Sequence, residues 1–338
     1  MEIRRNFIKS MMQLTAGLAA VDAFSGGAAH PPRDVWGELL PQRKLGKTGE
    51  HVTMLGVGGF HVGWTSERDA QEVIETAILG GIRFFDTAHN YGKGISEERY
   101  GKYLVPKYRD GIFLMTKSQA SDGKTLLEEF DLSLKRMGTD SVDLLQLHSL
   151  KTPEDVAARL DHGVYDALES IQASGKARYV GFTGHQNPYA HLEMLKRRPA
   201  PSIFSTLQMP INLVDYSVEH SFSRQVLPVA AEQGLGVLAM KTLADGRFFN
   251  RKEMTGKVRW ESDRPVIPEA VSVEEALHFV WSLPISVLIT GAENKALLEE
   301  KIELAKSFAM LSPADREQLL EHVLMVPERE KVEYYKQV

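Results

Sequence analysis

Cysteine is absent from the 338 residues, so disulfides, thiolate zinc sites, cysteine-held iron-sulfur clusters and cysteine nucleophiles are all excluded. A basic surplus is missing as well. The 40 Lys and Arg against 45 Asp and Glu leave a net charge of -5, and without a basic stripe neither nucleic acid nor an anionic membrane surface is an expected partner. No apolar run approaches the roughly 20 residues that a stable membrane span needs. Also lacking is a Gly-x-Gly-x-x-Gly turn: Leu55-Gly56-Val57-Gly58-Gly59 has no third glycine at the start of the next helix, which argues against an open, doubly wound sheet. The remainder is ordinary for a globular chain, 43% hydrophobic and 25% charged, enough to bury a large core. Small-molecule chemistry is the function class that these absences leave.

The N-terminus carries an address. Arg4-Arg5, then Phe7, Ile8 and Lys9, followed by a moderately apolar stretch from 11 to 20 and small residues at 26–29, resemble a twin-arginine export signal. Ile3 and Asp22 depart from that pattern. The expected organisation is a signal peptide over 1–30, a linker over 31–42 and a single barrel domain over 43–338. Export to the periplasm is the expected location, with the twin-arginine translocase as a transient partner, and the cytoplasm is the alternative.

From residue 42 onward short β-type runs alternate with longer helical patterns, which predicts βαβ units and a parallel sheet. Strands are expected at 54–58, 82–86, 112–116, 142–147, 179–183, 205–209, 236–241 and 287–290. Eight such strands are what a closed (β/α)8 TIM barrel of the α/β class needs. Ahead of them, residues 43–45 and 51–53 flank Gly46-Lys47-Thr48-Gly49 and read as an N-terminal β-hairpin that could plug the barrel bottom. Helices are predicted over 67–79, 125–137, 164–173 and 218–233, each closed by glycine, and over 272–281, where Ser272 and Glu275 form a capping box. An extra helix is expected at the C-terminus. Residues 243–271 lack periodicity and follow the seventh strand, on the face where barrel enzymes keep their active sites. A lid or clamp is expected there.

The C-terminal ends of strands two to four carry Asp86, Tyr91, Lys117 and His148. Each alone reads as a cap, a turn or a solvated strand end, but on three successive barrel strands they converge. Carbonyl reduction must match hydride delivery to carbon with a proton for oxygen. Tyr91 is the candidate acid, with Lys117 expected to lower its pKa, Asp86 to hold Lys117 and His148 to orient the carbonyl.

These residues resemble the aldo-keto reductase superfamily: Asp86-x-Ala88-x-x-Tyr91-Gly92 with Ser96-Glu97, Lys117, Leu144-Leu145-Gln146-Leu147-His148-Ser149, Gln208 in Leu207-Gln208-Met209-Pro210, and Gly291-Ala292 through Leu298-x-Glu300. The resemblance spans roughly 43–310. It implies an oxidoreductase acting on carbonyl and alcohol groups, with Asp86, Tyr91, Lys117 and His148 as its catalytic group. It also implies a nicotinamide cofactor, NADP or NAD, lying across the barrel top. The cofactor-binding residues so implied are Thr183, Gly184, Gln208, Met240, Lys241 and Leu243 on one side and Gly291, Ala292, Asn294 and Glu300 on the other. Thr183-Gly184 stands where the family usually has Ser-Asn, Met240 where an aromatic ring commonly stacks, and Glu293 where a small hydroxyl residue is frequent. A carboxylate at 293 would repel a 2'-phosphate unless Lys295 or Lys301 offsets it.

Trp64 and His148 are the candidate substrate residues. Trp64, Phe248, Phe249 and Trp260 lie in expected active-face loops, where rings stack on sugar-like molecules. The alternative function is a non-catalytic, nicotinamide-binding regulatory or interaction subunit on the same fold, against which the complete Asp-Tyr-Lys-His set argues. No metal site is expected: His89, His148 and His185 come without enough carboxylates at the strand ends.

Overall fold

A computed structural model describes residues 31–199, 201–248, 253–254, 257–258, 267, 270–336 and 338. The expected leader at 1–30 and the aromatics Phe249 and Trp260 lie outside the described residues.

Eight parallel strands close a barrel. They are β1 (Leu55–Gly58), β2 (Phe84–Asp86), β3 (Phe113–Ser118), β4 (Val142–Leu147), β5 (Ala177–Thr183), β6 (Phe204–Pro210), β7 (Gly236–Met240) and β8 (Val287–Thr290). Each pairs with its sequence neighbour, and β8 returns to β1 through Leu288 against Leu55 and Thr290 against Val57. All eight predicted strands are present, with ends displaced by at most two residues. Their burial explains why they read as apolar runs: every residue of β3 and β4 is buried, as expected where barrel interior and helices cover both faces.

The hairpin forms as expected, with Gln42–Lys44 antiparallel to His51–Thr53. It does plug the barrel. Leu45 and Val52 join Phe84, Phe113, Leu144, Leu238 and Val287, all near the N-terminal ends of their strands, in one buried cluster. Gly46 turns with φ +55, and a Cβ there would strike the backbone of Gly234 to Gly236, so only glycine lets the turn seat this closely.

Helix ends follow local chemistry. The Ser66 side chain accepts from Asp69 N to start Glu67–Leu79, and Ser272 and Glu275 complete the capping box of Val273–Trp281. Of the helix predicted over 218–233 two short pieces form, and with the helix before them the run reads Leu213–Ser217, Phe222–Gln225 and Leu227–Glu232. Pro228 lies in the first turn of the last, where a proline is tolerated, whereas a continuous helix would lose a hydrogen bond to it. Ser221 caps the middle one by accepting from Arg224 N. The extra C-terminal helix is Pro313–Leu324, and the chain then runs back over the active face through a 3-10 turn, Arg329–Glu333.

Of the long segment after β7, the described parts are 243–248, two short antiparallel strands, Glu253–Met254 and Lys257–Val258, and residues 267, 270 and 271. Phe248 and Ile267 are fully buried and joined by Ile267 N donating to Phe248 O at 3.2 Å. Phe248 therefore packs the loop onto the core and is not a ring for substrate. The remainder of the expected clamp lies outside the described residues. No helix among the described residues is long and apolar enough to cross a membrane.

Candidate active site

The ends of β2, β3 and β4 bring the four predicted residues together. Asp86 closes β2, Lys117 lies one residue from the end of β3 and His148 follows β4. Tyr91 begins the 3-10 turn Tyr91–Gly94, whose Gly92, Lys93 and Gly94 all take positive φ. Lys117 and Asp86 are buried, at 1% and 2% exposure, and form a direct ion pair. Lys117 Nζ also donates to Thr87 O at 2.8 Å and to Tyr91 Oη at 3.3 Å. An ammonium has three N–H groups, and here each has an acceptor. The pairing opposes burial, which as the larger cause still leaves Lys117 below and Asp86 above their ordinary values.

Because Tyr91 Oη accepts from Lys117, its own hydrogen is free to point elsewhere. The expected lowering of the Tyr91 pKa does not occur. Burial, then the Asp86 carboxylate, pushes the phenol well above 10: Asp86 neutralises the nearby ammonium, so desolvation decides the sign. The resting group is a neutral phenol. His148 is held well below the usual histidine range by burial and then by the Lys117 charge, and is a neutral imidazole. Its ring stands edge-on to Tyr91 with centroids 5.6 Å apart, and its buried Nδ1 has no partner.

Of the four aromatics expected around the pocket, Trp64 and Phe248 are among the described residues, and Phe248 is buried in the core. Trp64 keeps 40% exposure and leans on Phe60 at 5.9 Å. Phe60, unassigned from the sequence, stands edge-on to Tyr91 at 5.4 Å. Its position just after β1, four residues before Trp64, was the available signal.

The residues implied for the cofactor stand at, near or beyond the C-terminal ends of β5 to β8. Thr183 ends β5 and Gly184 follows it, its N donating to Gln208 O at 3.4 Å. Gln208 Nε2 donates to Asp86 Oδ2 at 3.2 Å, while its Oε1 is buried without a partner. Met240 ends β7 half-buried. Lys241 follows with φ 55 and pairs with Asp245 at 2.9 Å; Leu243 is half-buried. After β8, Asn294 accepts from Leu297 N and caps Lys295–Lys306. Gly291 abuts the His61 ring, which a Cβ would strike. Ala292 is buried and Glu300 exposed. Lys301 is turned inward to Gly291 O at 2.7 Å, and Lys295 is exposed.

Among the described residues no group of three or more His, Asp or Glu could hold a metal. His89 faces Ser133 and Arg136, and His185 stands against Tyr335. The C-terminal tail was not anticipated. Tyr335 is buried over the active face with Lys241 Nζ 4.7 Å from its ring centre, and Lys336 pairs with Asp215 at 2.6 Å. Nothing periodic marks these last residues as active-face neighbours.

The chain matches the model of the aldo/keto reductase family over residues 54–315. It is 30% identical to L-galactose dehydrogenase of Arabidopsis thaliana over 312 residues, 82% of this chain and 92% of that protein. It is 33% identical to the uncharacterized oxidoreductase YrpG of Bacillus subtilis (strain 168) over 228 residues, 60% of this chain and 66% of that one. L-glyceraldehyde 3-phosphate reductase of Escherichia coli (strain K12) is 31% identical over 240 residues, 64% of this chain and 65% of that protein. Among solved structures, the holo form of the aldo-keto reductase AKR11C1 from Bacillus halodurans superposes with a TM-score of 0.68 at 24% identity, covering 84% of this chain and 96% of that one. That last likeness is one of fold.

Proposed function

The chain belongs to the aldo/keto reductase family and is an oxidoreductase of that kind, and from this premise we propose that it interconverts a carbonyl and an alcohol on a sugar-like molecule, with Tyr91 passing the proton. The observation that carries the reading is the placement of Lys117 Nζ 3.3 Å from Tyr91 Oη. The Tyr91 oxygen accepts from Lys117, so its hydrogen serves an oxygen in the pocket. A phenol with a raised pKa keeps its proton in the resting state, yet still surrenders it to a developing alkoxide, which is a far stronger base. The phenolate left behind faces the Lys117 ammonium, which stabilises it. Neutral His148 donates its one ring N–H to the same substrate oxygen and orients the carbonyl.

The residues present suit a nicotinamide dinucleotide, NAD or NADP, which when bound supplies the reducing equivalent to the substrate carbon. The buried Gln208 Oε1 calls for an N–H donor, and a carboxamide has one. Thr183, one strand away, offers a hydroxyl. Gly184, Met240, Lys241 and Leu243 would complete that end, and Gly291, Ala292, Asn294 and Glu300 would hold the adenosine end. The sugar-like substrate is supported by the activities for which two relatives are named and by the exposed face of Trp64.

Tyr91→Phe keeps the ring and removes the acidic hydroxyl. With a panel of aldoses and keto sugars, turnover is expected to fall at least about a hundredfold, while NADH and NADPH titrations followed by fluorescence stay within about twofold of the parent. A Tyr91→Phe protein that keeps most of its turnover would sink the reading.

A further inference from the structure

We propose that Arg136, held by the buried carboxylate of Glu97, is a positioning residue that fixes the Tyr91 loop against Lys117. The inference rests on the reading of Tyr91 as the proton-transfer group. The loop from Thr87 to Gly94 needs an outside constraint. Three successive residues, Gly92, Lys93 and Gly94, have φ of 60, 61 and 99, and a non-glycine residue such as Lys93 holds that conformation only where its surroundings impose it.

Arg136 comes from the last turn of the helix Gly123–Met137, outside the four-residue group. Its Nη1 donates to His89 O at 3.0 Å and reaches His89 Nδ1 at 3.3 Å and Glu97 Oε2 at 3.2 Å. A Cβ on Gly94 would lie 2.5 Å from Arg136 Cζ, so the guanidinium covers the far end of the same loop. It thus grips the segment two residues before Tyr91 and three after it.

Glu97 is fully buried and does two things. One oxygen fixes Arg136. The other accepts from Thr116 Oγ1 at 2.6 Å, on the residue beside Lys117, and its charge helps keep Lys117 protonated. His89 N donates to Lys117 O at 2.9 Å. One network therefore ties the Tyr91 loop and the Lys117 strand together, and a shift of about 1 Å between them can cost on the order of a hundredfold in rate.

The test uses the whole protein with glyceraldehyde as probe substrate and NADH and NADPH as probe nucleotides. Arg136→Met is expected to lower kcat about a hundredfold while KM and the nucleotide Kd stay within about twofold. Guanidinium ion at tens of millimolar should restore at least about a tenth of the loss, which a purely structural role would not allow. Arg136→Lys keeps the charge but not the planar fork, and should lose about tenfold in kcat even if the Arg136→Met protein fails to fold. An Arg136→Lys protein as fast as the parent overturns the proposal, as does an Arg136→Met protein that loses nucleotide and substrate binding together without rescue. Tyr91→Phe run alongside separates the two failures. If Tyr91→Phe is inactive and the Arg136 variants are unaffected, only this inference falls; if Tyr91→Phe is active, the reading beneath it falls first.

Discussion

His191 is a pH liability set behind the pocket, and the size of its effect can be worked out. It is wholly buried, packed edge-on to Phe222 at 5.1 Å and tilted against Phe182 at 5.4 Å. Its Nε2 lies 3.2 Å from Gln208 O, and its Cε1 would be 3.0 Å from a Cβ on Gly184, so it shapes the rim where β5 meets β6. Burial lowers its pKa to about 4, against about 6.5 in the unfolded chain. A depressed histidine binds its proton more readily when unfolded, so stability falls as pH drops from about 6.5 and stops falling near 4. At pH 5 the penalty is about 2 kcal/mol and at pH 7 only about 0.2 kcal/mol, from the two pKa values and about 1.4 kcal/mol per unit. Replacing His191 with Phe removes this titration. It also deletes the bond to Gln208 O, a loss that is the same at every pH. The quantity to compare is therefore the change in urea-unfolding free energy between pH 7 and pH 5. That change should be about 2 kcal/mol smaller in the His191→Phe protein than in the parent. Equal changes in the two proteins would show that His191 titrates normally and is not sealed from water.

Asp86→Asn should lower stability by about 3–5 kcal/mol, because it leaves the Lys117 ammonium buried without its counter-charge. The double variant Asp86→Asn with Lys117→Met should regain most of that in thermal or urea unfolding, and a double variant no more stable than the single would refute the pairing. Leu45→Ala opens the plug at the opposite end of the barrel from Tyr91. A loss of about 2–5 kcal/mol with kcat unchanged is expected, and an activity loss at full folding would mean that the plug communicates with the active face.

The barrel was legible because its signal is local and repeated. Runs such as 142–147 are apolar on both faces for the reason that both faces are buried, and caps such as Ser272 with Glu275 act within four residues. The four candidate residues were legible because barrel geometry brings strand ends together, and a residue's type at a strand end suffices to nominate it. Pro228 was there to be read as a break in the 218–233 helix, but the late start of the segment at Phe222 has a reason visible only in three dimensions. Asp215, fully buried, accepts from Phe222 N and Ser223 N, and this draws the chain into a tight bend that apolar spacing does not record. The sign of the Tyr91 shift failed for another reason: the pairing of Asp86 with Lys117 was anticipated, but not the burial of the phenol, which is the largest cause of its rise.

Two arginines mark where the remainder of the site is decided. Arg159, in the helix Pro153–Asp161, donates to His148 O at 2.9 Å and Ser149 O at 3.2 Å, and Ser149 takes φ 57. Arg136 grips the Tyr91 loop in the same manner, from the helix after β3. Both are long side chains on outer helices, each held by a carboxylate, Asp155 at 3.0 Å and Glu97 at 3.2 Å, and each reaches inward to a carbonyl beside a residue that bears the chemistry. In a sequence they look like ordinary helix charges, since an i,i+4 pair such as Asp155 and Arg159 is what a solvated helix face also displays. What distinguishes them is burial, nearly complete for Arg159 at 4% exposure and partial for Arg136, whose partner Glu97 is fully buried. A buried guanidinium with a fixed counter-charge pins the backbone it bonds through a rigid, planar set of donors, and proton transfer between Tyr91 and a substrate oxygen requires placement to well within about 1 Å. The chemistry is carried by residues at strand ends, while their spacing is set one layer out.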